Sequence, residues 1–168
     1  MFFLTDIGMD VRDMSEFQSG SFNAVIDKGT LDSILQSACY FFLFFFCSVG
    51  MIHEKCSQDA QGSLELMTNY RVLKDNGVYI LVTYGAPLYR LQLLRESCSW
   101  RIKLHVIDKL LSDEGSEHPV QELMNPVPID DNGSSVEAVL GKNPDVHYIY
   151  VCTKDESLKP EQKHEEQV

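Results

Sequence analysis

The sequence has few basic residues. Against 25 Asp and Glu stand only 14 Lys and Arg, a net charge of −11 at pH 7. Nucleic-acid binding requires basic patches that displace counterions from phosphates. No such Lys/Arg cluster occurs, so the composition argues for no nucleic-acid partner, and the acid excess favours encounter with basic partners instead. The five cysteines (Cys39, Cys47, Cys56, Cys98 and Cys152) are odd in number and contain no C-x-x-C pair. That pattern opposes a disulfide framework and fits reduced thiols in the cytoplasm. Cys47, His53 and Cys56 fall close together but lack a fourth ligand, and unpaired thiols account for them better than zinc. Neither a G-x-G-x-x-G nor a P-loop glycine pattern is present, which counts against a nicotinamide oxidoreductase or a nucleotide triphosphatase.

No internal repeat is visible, and no run reaches the ~20 apolar residues of a membrane-spanning helix. The longest uncharged stretch, Ala38 to Ile52 (ACYFFLFFFCSVGMI), has 15 residues, five of the nine phenylalanines and no basic anchors at its flanks. It reads as a buried or badly placed segment, and as an aggregation hazard where exposed. The opening MFFLTDIGMD carries no basic n-region and meets Asp6 early, unlike a signal peptide.

What is present is an ordinary globular balance, 44% hydrophobic and 23% charged, of a length that suits one domain. Met9 to Asp13 reads as the end of a strand entering a loop. Phe22 to Asp27 (FNAVID) reads as a short strand after the turn Gln18–Ser21, and Thr30 to Leu35 as a helix with Thr30 as its N-cap. Leu66, Tyr70 and Leu73 recur at helical spacing over Ser63–Lys74, with Asn76-Gly77 as the stop. Val78 to Thr83 is continuously apolar, as in a strand buried on both faces. Tyr89–Glu96 reads as a helix, Trp100–Asp108 as an alternating strand, and Val146–Thr153 as the last strand. Residues 109–145 form a long polar connection, and 155–168 a polar tail expected to be disordered. The pattern is the second half of an open α/β sheet closed by an antiparallel pair.

Two strings are specific: FQSGSFNAVIDKGTLDS from Phe17 to Ser33, and YRVLKDNGVYILVTYG from Tyr70 to Gly85. Together they resemble the class I S-adenosylmethionine-dependent methyltransferases. The DKGTLD block looks like the branch of elongation factor 1-alpha lysine methyltransferases and methyltransferase-like proteins related to the endothelin-converting-enzyme-2 methyltransferase domain, its plant-type members above all. The resemblance implies a Rossmann-like sheet of strand order 3-2-1-4-5-7-6 with the last strand antiparallel. MDVRD would end strand three, FNAVID would be strand four, VYILVT strand five, and WRIKLHVID and VHYIYVCT strands six and seven. Strands one and two, with the cofactor's glycine loop, would precede Met1. The implied domain is therefore partial and N-terminally truncated over 1–154, with an atypical Phe-rich insert at 36–62.

The resemblance also implies S-adenosyl-L-methionine as cofactor and a basic protein such as elongation factor 1-alpha as acceptor of lysine methylation. Asp10 and Val11 would border the adenine, and Asp27, Lys28 and Gly29 would line the cofactor and acceptor cleft. Asp27 and Tyr84, at the carboxyl ends of adjacent strands, would act on the incoming amine. Read without the resemblance, Asp27 is a turn or capping carboxylate, Asp10 a loop aspartate, Tyr84 a cover for the core and Lys28 a solvated charge. His105 and His147 are structural. The alternative reading is a catalytically inactive product or interaction module that lacks the glycine loop and leaves a strand edge unpaired.

Overall fold

The computed structural model describes residues 7–36, 54–108, 125–130, 133–141, 144–155 and Ser157. The Phe-rich run, the cluster of Cys47 and His53 and the tail beyond Ser157 lie outside them. Among the described residues four strands, β1 (Phe22–Lys28), β2 (Leu73–Thr83), β3 (Trp100–Asp108) and β4 (Val146–Lys154), form one sheet in the order β1-β2-β4-β3. β1 and β2 are parallel, and β4 runs antiparallel to both β2 and β3. This is the order and direction expected for strands four, five, seven and six, so the class is α/β with a mixed, Rossmann-like half-sheet. Among the described residues four helices accompany it: α1 (residues 30–36), α2 (Glu54–Val72), α3 (Pro87–Ser97) and α4 (Ser134–Leu140).

Period-2 alternation decides which side chains meet. Tyr79 and Leu81 of β2 stand opposite Cys152 and Tyr150 of β4, which in turn face Ile102 and Leu104 of β3. On the other side of the pleat, Ile80, Val82, Ile149 and Val151 are only half-buried, so β2 is not buried on both faces. Leu31 of α1, Leu66 of α2, Leu91 and Leu94 of α3 and Val136 of α4 close the core over the first face. Trp100 anchors its edge, meeting Tyr70 edge-on at 4.8 Å and stacking on Tyr79 at 5.9 Å.

Several local expectations are corrected. Met9–Asp13 is loop, not strand end, because the Asp10 carboxylate takes the Arg12 backbone N–H (2.9 Å) and folds the chain into a turn. Thr30 is the first helical residue rather than the cap. The orphan N–H groups of Thr30 and Leu31 donate to the Asp27 carboxylate at 2.8 and 3.1 Å, as a capping acid would take them. α2 stops at Val72, before Asn76-Gly77. Carbonyls at this junction are already claimed: Lys154 Nζ donates to that of Tyr70 (3.1 Å) and to that of Leu73, the first residue of β2 (2.8 Å), and the Gly20 N–H to that of Arg71 (3.0 Å). Asn76, not Gly77, takes the left-handed conformation, with φ of 60°. The 109–145 connection contains α4, and Val127 bridges to Leu104.

Candidate functional site

In open α/β sheets the ligand crevice lies beyond the carboxyl ends of the parallel strands, here the turns after Lys28 and Thr83. Gly29 makes the first turn. Its φ of 77° is a conformation costly for a residue with a Cβ, its N–H donates to the Val82 carbonyl, and its carbonyl accepts from the Ser33 N–H at 3.0 Å. Lys28 points into solvent.

Asp27 is inside, only 5% exposed. Besides the two capping bonds, it accepts from the Tyr79 hydroxyl at 3.0 Å. Near it lies Glu65 of α2, 1% exposed, with Asn69 also beside it. Burial first, and the neighbouring Asp27 second, push the Glu65 pKa up to about 8. Two buried carboxylates this close cannot both ionise cheaply, so at neutral pH Glu65 is the protonated member. Tyr79 is likewise pushed well above its ordinary value, chiefly by burial.

On one side of α1 the loop carrying Asp10 and Val11 forms an open groove of about 550 Å³ with Thr30, Ile34 and Gln61. Arg12 Nη1 donates to Gln61 Oε1 at 3.0 Å, tying the loop to α2. Thr68 and Arg71 of α2 fix the rest by donating to loop carbonyls of Arg12, Met14 and Phe17. The Arg12 guanidinium holds the Asp10 carboxyl at a pKa of about 2. The groove is of ligand size, with Val11 and Ile34 among its apolar lining residues. The Asp10 oxygens already accept from the Arg12 backbone N–H, Nε and Nη2, so an incoming amino group shares them with that partner.

On the other side of α1, Asp32 organises the end of β2. It accepts from Thr83 Oγ1 (2.5 Å), the Tyr84 N–H (3.3 Å) and Arg90 Nη2 (2.6 Å). Tyr84, 63% exposed, lies past the strand end with its ring 4.3 Å from that of His147. It lines a second cavity of about 360 Å³ between the start of α3 and α4. The structure thus gathers Asp10 and Val11 in the groove, holds Asp27 and Gly29 in the turn behind it, and sets Tyr84 apart beyond Asp32. The sequence reading did not single out Asp32, Glu65, Gln61 or Arg90. Asp32 alone carried a signal, as the second acid of DKGTLD in the first turn of a helix.

No protein-family model matches the sequence, and no curated protein matches it. Among solved structures, the chain is similar to a Thermus thermophilus protein put forward as a DNA modification methylase, with TM-score 0.47 and 11% identity over 91% of this chain and 54% of that one. It is also similar to a SAM-dependent methyltransferase from Methanosarcina mazei, with TM-score 0.37 and 11% identity over 87% and 65%. The chain spans about half of the first and under two thirds of the second.

Proposed function

We propose that the chain carries the acceptor-side half of an S-adenosylmethionine-dependent methyltransferase sheet, acting on a lysine of a basic protein of the elongation factor 1-alpha kind. The observation that carries the reading is the strand order β1-β2-β4-β3, with reversed β4 set between β2 and β3 and a nucleoside-sized groove at the carboxyl end of β1. When bound, the cofactor supplies a methyl group on a cationic sulfonium. Val11 and Ile34 would flank its adenine, and Asp10 would take the exocyclic amine. Asp27 keeps the Asp27-Lys28-Gly29 turn in place through α1, and Tyr84 walls the approach of the amine. Free Cys98 and buried Cys152 suit a reducing compartment such as the cytoplasm. Among the described residues no helix is long and apolar enough to cross a membrane.

A second reading, a non-catalytic interaction module, is favoured by β1 itself. Its outer edge pairs with no strand among the described residues, and Ile26 is 70% exposed. Isothermal titration of the 168-residue chain with S-adenosylmethionine, beside a tritiated methyl-transfer assay on elongation factor 1-alpha, separates the two. Saturable cofactor binding with methylated lysine supports the enzyme. A folded chain that binds no cofactor supports the module.

A further inference from the structure

Alternation along the strands gives the sheet two faces, and among the described residues the core side chains of the helices pack on one of them. The register sets out the other face. Ile26, Ile80, Val151 and Lys103 stand abreast in one row across it, and Lys28, Val82, Ile149 and His105 in the next. Read down the strands, the rows become two columns. Ile80 and Val82 of β2, with Val151 and Ile149 of β4, form a half-buried apolar stripe, which Ile26, 70% exposed, extends onto β1. Beside it, Arg101, Lys103 and His105 recur at every second residue of β3. Every ionisable residue in these rows is basic, although the chain as a whole carries −11. An apolar sheet face is stable when buried against another element, and a segregated basic edge beside it selects an acidic one. Arg101 already shows the group that this column takes, since it pairs with the carboxylate of Asp155.

We propose that this face receives an acidic amphipathic helix of a protein partner, its apolar side on β2 and β4 and its carboxylates along the basic column of β3. The periods match. Alternate strand residues recur about every 6.7 Å and helix residues four apart about every 6 Å, so successive acids meet successive cations. The widths match too: a helix is about 10 Å across, roughly two strand spacings, the reach from β2 across β4 to β3. An anionic membrane, being wider, would also meet the acidic remainder of the surface. The apolar stripe supplies the buried area, while rim charges set encounter and register more than affinity. This docking goes beyond methyl transfer and needs neither the groove nor a cofactor.

The test titrates the isotope-labelled chain with two synthetic helical peptides that share a leucine stripe, one with glutamates along its flank and one with lysines. Amide chemical shifts follow the binding without any cofactor. The glutamate peptide should saturate and move the amides of Val82, Ile149, Val151 and Lys103. The lysine peptide should bind at least about tenfold more weakly. Lys103→Glu, a change at an exposed site, should weaken the glutamate peptide by about threefold or more and strengthen the lysine peptide. Lys103→Arg should keep the parent's preference. Equal binding of the two peptides, shifts gathered on the helix-covered side of the sheet, or an unchanged preference in Lys103→Glu would each overturn the proposal. So would phosphatidylserine vesicles moving the same amides, or a dimer in sedimentation whose interface is this face.

Discussion

Glu65 of α2 and Asp27 of β1 are buried carboxylates close enough that burial first, and Asp27 second, push the Glu65 pKa up to about 8. Their proximity joins the middle of a long helix to the end of an edge strand. It also supports the groove, since Gln61 stands one turn before Glu65 on α2 and is tied to Arg12.

Stability should therefore fall as pH rises through neutrality. The folded pKa of Glu65 is raised from 4.5 to about 8. Between those values the folded chain keeps a proton that the unfolded chain has released. The contribution is complete below the lower value and is lost at up to about 1.4 kcal/mol per pH unit until Glu65 ionises. Thermal melts from pH 5 to 8.5 should show a steeper decline for the parent than for Glu65→Gln, whose amide does not titrate. Parallel curves would contradict the retained proton.

Removing the Asp27 carboxylate should act on the fold before it acts on any reaction. Asp27→Ala strands two backbone N–H groups and the Tyr79 hydroxyl, and should cost about 2–4 kcal/mol. Asp27→Asn keeps one acceptor oxygen and should recover part of that loss. Urea denaturation of the three proteins ranks them. A stability unchanged in Asp27→Ala would leave the capping role without support.

Asp32→Ala should also destabilise, by about 2–4 kcal/mol, because it leaves the largely buried Arg90 without its ion pair. Coupling is the sharper readout: once Asp32 is gone, Arg90→Met should cost much less than it costs in the parent. A double-mutant cycle by denaturation measures this, and additive effects would show that the two side chains act separately.

Asp10→Ala should leave the melting temperature unchanged, since Asp10 and Arg12 are both exposed. Affinity for S-adenosylmethionine should drop about tenfold on losing a charge-assisted acceptor. Titration calorimetry of parent and variant is the check, and equal affinities would remove Asp10 from the site.

The sheet was largely legible because its strands are short apolar runs at the right period: VYILVT, VHYIYVCT and the alternating WRIKLHVID all form strands. The helix end was not. Asn76-Gly77 is a proper stop signal, but Lys154, distant in sequence, takes the carbonyls of Tyr70 and Leu73 on either side of the earlier helix end. Burial of Glu65 was invisible for a similar reason. A lone acid in a helix reads as solvated, and only burial near Asp27 makes it neutral. α4, seven residues among Gly, Pro and Ser, is too short to show a period. The groove at Asp10 and Val11 emerged only from the resemblance, since an exposed loop aspartate carries no local sign of a ligand.

The position of β4 bears on how the chain assembles during synthesis. β2 and β3 never touch as partners; each pairs with β4, which follows both in the chain. Among the described residues, only β1 and β2 can pair before β4, which ends at Lys154, has left the ribosome. Leu104 lacks its strand neighbour Tyr150 while everything between Asp108, the end of β3, and Val146, the start of β4, is still being made. Late closure of a central strand exposes apolar surface for its whole duration, and it makes the nascent chain a client for whatever shields such surfaces near the exit tunnel.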